Sequence, residues 1–136
     1  RVLVLPGLQR EGTPVTGEHD ALEGVGRRGE LSVSSLRPDG TFSRPVPIWS
    51  VLVDGRLFIR SYRGTEGRWY RGVLARRAGR VTSGSRAVDV TFTPAPVELA
   101  DSIDDAYRAK YASSAYLAPM LSEQARAAAF EVTATP

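Results

Sequence analysis

The sequence predicts an α+β domain, a small β-barrel capped by helices, and three observations predict it. The pairs Asp39-Gly40 and Asp54-Gly55 punctuate runs of alternating apolar residues, the pattern of strands joined by tight turns. A second alternating run, Val88, Val90 and Phe92, follows the turn signal Gly84-Ser85. Leu99, Ile103, Tyr107 and Tyr111 then recur at helical spacing. The order is strands, helix, strands, helices and a last strand, which segregates helices from an antiparallel sheet.

Residues 1–17 carry glycine, proline and no sustained periodicity, and are expected to form an irregular extension. Residues 18–136 are expected to form a single domain. Glu18 to Arg28 predicts a short helix with Leu22 and Val25 on one side. Leu31 and Val33 open the first strand, Thr41 to Val53 reads as one return strand, and Arg56 to Tyr62 as a third. In that third strand Leu57 and Ile59 alternate with Phe58 and Arg60, so both faces meet something. Gly64 to Gly67 breaks the pattern, and Trp69, Val73 and Arg76 mark a helix over Arg68 to Arg77. Arg80 to Ser83 and Arg86 to Thr93 read as a hairpin. Asp101 or Ser102 is the expected N-cap of the next helix. Ser113 to Arg126 reads as helical with an interruption at Pro119, and Phe130, Val132 and Ala134 alternate as the last strand. The expected sheet interior is Leu31, Val33, Val46, Ile48, Leu57, Ile59, Val88, Val90 and Phe92.

The 136 residues are 42% hydrophobic and 24% charged, ordinary values for a globular domain. A chain of this size buries roughly two thirds of its unfolded surface without staples. The absence of cysteine excludes disulfides, thiolate metal sites and cysteine nucleophiles. His19 is the only histidine and no nucleophile motif accompanies it, so no metal site is expected. There is no phosphate loop of the P-loop type and no GxGxxG fingerprint. No apolar run approaches the ~20 residues of a membrane span, and Val2 to Leu5 is too short for a signal-peptide core. The chain is therefore read as cytoplasmic, with no membrane partner.

The net charge is only +3, but the distribution is uneven. Nine arginines fall between Arg56 and Arg86 against one acid, Glu66. A GC-rich coding sequence accounts for arginine over lysine, not for clustering. Arginine's planar fork suits phosphate and carboxylate oxygens, so a phosphate-bearing small molecule is the sharper reading. Nucleic acid is the weaker one, because no reader motif accompanies the charge.

Two stretches carry a resemblance. One is Ser43-Arg44-Pro45-Val46-Pro47-Ile48-Trp49; the other is Phe58 to Gly64 followed by Gly67-Arg68-Trp69-Tyr70-Arg71. Over Leu31 to Val90 they resemble the split-barrel flavin and deazaflavin-dependent nitroreductase-like proteins. The segment Asp104 to Tyr111 is similar to one branch of these, the domain-of-unknown-function family 2255. The resemblance implies a small split β-barrel of the FMN-binding, pyridoxamine-phosphate-oxidase-like type with flanking helices. It implies a flavin- or deazaflavin-dependent oxidoreductase acting on a small organic molecule, and a homodimer with the cofactor between subunits. Two departures stand out: Arg71 replaces the usual asparagine after Trp-Tyr, and residues 37–41 form a tight turn in place of a lysine-rich loop. FMN, a deazaflavin and no cofactor all stay open. So do a cofactor-free cyclase or isomerase of a biosynthetic pathway using the barrel cavity, and a non-catalytic small-ligand-binding protein.

A flavin phosphate is a dianion needing several charge-assisted donors. Arg44, Arg60 and Arg63 are the candidates, at strand ends that a hairpin can bring together, with Ser61 and the Gly64 backbone as neutral donors. The alternative is a solvated arginine edge that discourages aggregation. Pro45 and Pro47 cannot donate ladder hydrogen bonds and predict an edge or bulge. In the resembling proteins this strand lies beside the isoalloxazine ring, which nominates Pro45, Val46, Pro47, Ile48 and Trp49, together with Trp69. Core packing of Ile48, Trp49 and Trp69 is the alternative. Tyr70, Tyr107, Lys110 and Tyr111 are candidate catalytic groups, tyrosine as proton donor and Lys110 as anion anchor. The alternative packs Tyr107 and Tyr111 on the barrel with Lys110 reaching outward. Asp101, Asp104 and Asp105 are expected to decorate a helix N-terminus. Arg126, on the last helix, is expected to lie apart from the clamp.

Overall fold

The computed structural model describes residues 21–136; the expected extension over 1–17, the start of the first helix and His19 lie outside the described residues. Residues 21–26 are helical (α1) and place Leu22 and Val25 in the core. Seven strands follow: β1 (Leu31–Ser35), β2 (Val46–Ile48), β3 (Ser50–Val53), β4 (Arg56–Arg60), β5 (Ala78–Ser83), β6 (Arg86–Pro94) and β7 (Ala129–Ala134). Helix α2 (Arg68–Arg76) lies between β4 and β5; α3 (Ala100–Lys110), α4 (Leu117–Met120) and α5 (Glu123–Arg126) lie between β6 and β7.

All pairings are antiparallel, and the sheet order is β2-β1-β5-β6-β7-β4-β3. The two edge strands are consecutive in sequence, with Trp49 alone between them. A sheet whose opposite edges are joined by one residue must curl until the edges meet, so the seven strands form a nearly closed barrel with flanking helices. The expected split-barrel α+β fold is the observed one.

The single return strand expected over Thr41 to Val53 is instead two. Leu36 and Phe42 bridge at the base of the Asp39-Gly40 turn, β2 pairs with β1, and β3 pairs with β4 on the other side of the seam. The prolines explain the split. Pro45 and Pro47 lack the donor a central strand needs, so β2 stays an edge of three residues, as their chemistry predicts. Asp54 and Gly55 sit at φ 52° and 77°, the backbone of a two-residue hairpin turn between Val53 and Arg56.

The barrel interior holds Leu31, Val33, Leu57, Ile59, Val81, Val88, Val90, Phe92, Phe130 and Val132, with Val73 of α2 and Leu22 and Val25 of α1 closing it. Val46, expected inside, is exposed, because its strand is the open edge. A second cluster lies on the outer face of β3 and β4: Val51 and Phe58 pack against Ile103, Tyr107, Tyr111 and Met120. The alternation in β4 thus serves two cores, Leu57 and Ile59 inward and Phe58 and Arg60 toward α3.

Helix α3 does not start at Asp101 or Ser102. A 3-10 turn, Val97–Leu99, runs straight into it, and no side chain caps its first turn. Asp104 is not a surface ornament either. It is buried and paired with Arg60, because the Arg60 side of β4 faces α3.

Candidate functional site

A broad cleft of ≈ 1370 Å³ opens where the barrel seam meets α2 and the α3–α4 segment. Val46, Pro47, Ile48 and Trp49 form one apolar wall, and Trp69 lies on another side. Arg37, Arg44, Arg63, Arg68 and Arg71 stand around it, with Glu30 and Glu66 as the acids present. Arg44, Arg63 and Arg68 have no carboxylate partner among the described residues, whereas Arg71 meets Glu66 at 3.4 Å. The cleft is therefore electropositive, with exposed tyrosines Tyr62 and Tyr116 at its rim.

Arg44, Val46, Pro47, Trp49, Arg60, Arg63 and Trp69 of the expected cofactor set line this cleft. They meet for a different reason from the expected one. Strands β2 and β4 do not pair, so no hairpin joins Arg44 to Arg60 and Arg63. Curling of the sheet brings them to one opening.

Arg60 stands apart from the other arginines. Its side chain is wholly buried, and Nη1 donates to Asp104 Oδ1 at 2.5 Å and to the Met120 carbonyl at 2.9 Å. Nη2 donates to the Ala100 carbonyl at 3.0 Å. Asp104 also pairs with Arg126, which bonds Asp101 at 3.0 Å, so Arg126 belongs to the same network and not apart from it.

Pro45 is exposed beside β2, off the cleft lining. Ser61 is buried and donates its hydroxyl to the Gly64 carbonyl at 2.8 Å. Gly64 holds φ 66° with the Gln124 side chain where a Cβ would stand. Ser61 and Gly64 thus build the turn that presents Tyr62 and Arg63.

The four candidate catalytic side chains lie off the cleft lining. Tyr70 packs on Phe130 with ring centroids 5.3 Å apart. Tyr107 is fully buried, which pushes its phenol well above the ordinary tyrosine value. Tyr111 stacks on Trp49 at 3.9 Å, donates to the Gly29 carbonyl at 2.5 Å and accepts from Ser50 N–H at 3.3 Å. Burial lifts it to about 12. Lys110 donates to the carbonyls of Gly26 and Ser50, each at 2.7 Å, and desolvation lowers it to about 8. Together Lys110 and Tyr111 fasten the end of α3 to the last residue of α1, to the segment after it and to β3.

Sequence reasoning missed Arg37, Arg68, Arg71, Tyr62 and Tyr116. Arg68 and Arg71 carried a usable signal: they are three apart on α2, hence on one helical face. Tyr116 carried none, since only the turn after α3 brings it to the rim. Among the described residues no group of three or more acidic or histidine side chains can hold a metal, and no helix is long and apolar enough to cross a membrane.

The frame is shared with solved structures at low identity. The conserved hypothetical protein Rv2991 from Mycobacterium tuberculosis superposes with TM-score 0.56 at 10% identity, covering 98% of this chain and 85% of that one. ChuZ from Campylobacter jejuni gives 0.56 at 8%, covering 92% of this chain, which spans 54% of ChuZ. A putative 5-nitroimidazole antibiotic resistance protein from Bacteroides thetaiotaomicron VPI-5482 gives 0.53 at 12%, covering 94% and 82%. No curated protein matches the sequence. What these structures share with the chain is the fold, a split β-barrel with flanking helices. Residues 21–132 match the family described as an uncharacterized protein conserved in bacteria (DUF2255), and the chain belongs to that family.

Proposed function

We propose that the cleft binds a flavin or deazaflavin cofactor and that the protein is an oxidoreductase acting on a small organic molecule. The observation that carries this reading is one opening that joins an apolar wall, Val46 to Trp49, to three arginines without carboxylate partners among the described residues, Arg44, Arg63 and Arg68. Such a wall accepts the face of a planar ring, and such arginines accept a phosphate dianion through charge-assisted bonds. The volume exceeds the roughly 300–1,000 Å³ that one small ligand occupies, which leaves room for a substrate beside a cofactor.

A bound flavin or deazaflavin supplies hydride transfer. The protein's share is then binding, orientation and field. Arg44, Arg63 and Arg68 hold the anionic end, and the β2 wall with Trp49 and Trp69 covers the ring. Lys110 and Tyr111 act through this reading as fasteners of the wall, since Tyr111 stacks on Trp49 and Lys110 holds Ser50 beside it, while Tyr70 and Tyr107 pack within the two cores. A cofactor-free cyclase needs a positioned acid or base at the reacting atoms. The cleft offers arginines, two glutamates and two rim tyrosines, a set better suited to binding an anion than to proton transfer.

The test is titration of FMN and a deazaflavin into wild type, Arg44→Ala, Arg63→Ala and, as a control off the cleft, Arg86→Ala. Submillimolar binding by wild type and a loss of about one to two decades in the first two variants is expected, from ~1.5–3 kcal/mol per charge-assisted bond. Arg86→Ala shifts binding only through screened long-range field. Absence of binding by wild type below millimolar cofactor removes the reading. The resemblance also leads us to propose a homodimer with the cleft between subunits; a single-chain mass by light scattering removes that part.

A further inference from the structure

We propose that the β4 side of this cleft is the substrate subsite, and that Tyr62 and Tyr116 make it a site for an uncharged, planar aromatic molecule. The proposal rests on the reading of the cleft as a flavin-type site and deepens it.

Five large apolar or aromatic side chains stand exposed among the described residues: Val46, Tyr62, Leu74, Val97 and Tyr116. Three of them, Val46, Tyr62 and Tyr116, line the same cleft. Exposed apolar residues scattered singly need no explanation, but their concentration at one opening marks a contact surface. Tyr62 is 55% and Tyr116 76% exposed, so much of each ring is open to a ligand. The two tyrosines reach one side of the cleft through different elements. Arg60 ends β4 two residues before Tyr62, and its Nη1 donates to the carbonyl of Met120, the last residue of α4, at 2.9 Å. The Gln124 side chain lies where a Cβ of Gly64 would stand, so α5 packs on the same turn. Tyr116 immediately precedes α4 and donates its backbone N–H to Ser114 Oγ at 3.0 Å. The helices that lock onto the β4 turn thereby bring Tyr116, Pro119 and Met120 to the side of the opening that carries Tyr62.

The two sides of the cleft differ in chemistry. On the β1–β2 side stand Arg37, Arg44 and the hydroxyls of Ser35 and Ser43, which lie 3.2 Å apart. That side suits an anion. The β4 side offers two phenol rings, a proline and a methionine. Arg63, the charge beside them, is engaged by the cofactor's anionic end, and Arg60 is buried and compensated by Asp104. What remains for a second ligand is aromatic surface. Tyrosine rings take flat rings in offset-stacked or edge-on geometry, a gain beyond area burial that a saturated molecule of the same size does not make. Size agrees with a second ligand. The opening measures ≈ 1370 Å³ against the roughly 300–1,000 Å³ of a small-molecule site, so one cofactor does not fill it.

The experiment titrates quinoxaline, a flat uncharged bicycle, by calorimetry into the protein with and without saturating FMN, in wild type, Tyr62→Leu, Tyr116→Leu and Tyr62→Phe. Both tyrosines are exposed, so the leucine variants should keep the fold, which their urea midpoints check. The expected result is millimolar or tighter binding by wild type and a loss of about two- to tenfold in each leucine variant. Tyr62→Phe should bind as wild type does, and the affinity for FMN should stay the same throughout. With FMN in place, the saturated trans-2-decalol and the anionic quinoxaline-2-carboxylate should both bind more weakly than quinoxaline. Unaltered quinoxaline binding in either leucine variant overturns the proposal, as does binding of either comparison molecule as tight as that of quinoxaline. An FMN affinity that falls together with that for quinoxaline overturns it by assigning the tyrosines to the cofactor. A leucine variant whose light-scattering mass falls to half the wild-type value overturns it in favour of a second copy covering the tyrosines. Wild type that binds FMN but not quinoxaline removes this proposal alone. Wild type that binds quinoxaline but not FMN removes the flavin reading and leaves the aromatic site standing, and binding of neither removes both.

Discussion

Replacing Asp104 with asparagine should be among the most damaging single changes of near-equal size in this protein. Asp104 pairs Arg60 with one oxygen and Arg126 with the other, and the Arg60 and Asp104 side chains are 0% and 8% exposed. Asparagine keeps the shape but leaves a buried guanidinium uncompensated. Breaking such a pair from one side costs about 3–5 kcal/mol, against a total stability of about 5–15 kcal/mol for a domain. Arg126→Ala is the informative contrast. Arg126 is 29% exposed and its second partner, Asp101, is 91% exposed, so the Arg126–Asp101 pair is worth about 0–1 kcal/mol, and Arg126→Ala, which leaves Asp104 its buried Arg60 partner, should cost less than Asp104→Asn. Urea unfolding followed by tryptophan fluorescence measures both, with m-values checked for constancy. Adding Arg60→Met to Asp104→Leu removes both buried charges and should recover much of the loss. Recovery stays incomplete because the Ala100 and Met120 carbonyls lose their donor. A loss under about 1 kcal/mol for Asp104→Asn, or an equal loss for Arg126→Ala, refutes the account of Arg60 as a buried, single-partner charge.

Gly64→Ala should destabilise by about 1–3 kcal/mol, because φ 66° strains an L residue and Gln124 fills the space; an unchanged urea midpoint contradicts this. Lys110, lowered to about 8 by burial, makes the charged form the disfavoured one in the folded state. Its penalty is complete below about pH 8 and fades as pH rises toward the ordinary lysine value, so stability relative to Lys110→Met should improve over that window; a flat difference counts against it. Tyr111 has the opposite sign: raised to about 12, it stays protonated while the unfolded tyrosine ionises from about pH 10 upward. Alkaline loss of stability should therefore be smaller in Tyr111→Phe than in wild type. Both tryptophans line the cleft, so cofactor binding should quench most intrinsic fluorescence, and a Trp49→Phe variant should lose part of that response.

Much of the fold was legible because its signals are local. The Asp54-Gly55 turn, the alternation of Val88 to Phe92 and the stripe from Ile103 to Tyr111 each report on neighbours a few residues away. What was not legible is closure. Nothing between Thr41 and Val53 says that Trp49 is the point where the chain passes from one sheet edge to the other. The two prolines announce an edge, but an edge pairs with whatever the rest of the sheet leaves open, and that is decided by β5, β6 and β7 far along the chain.

The site shows the same division, with charge as the complicating term. Sequence alone ranks Arg44, Arg60 and Arg63 alike, because a guanidinium reads the same wherever it stands. Folding separates them by partner. Strand alternation sends Arg60 to the α3 side, where Asp104 neutralises it, while the turn after β4 leaves Arg63 exposed at the opening. Asp104 held the missing information, but its place near a helix start offered a simpler role at the dipole. The buried pair became visible only once β4 and α3 were laid face to face. An arginine cluster in sequence is thus a pool from which the fold draws two kinds of cation: charges without carboxylate partners among the described residues that stand at an opening, and one compensated charge buried as a strut between β4 and α3.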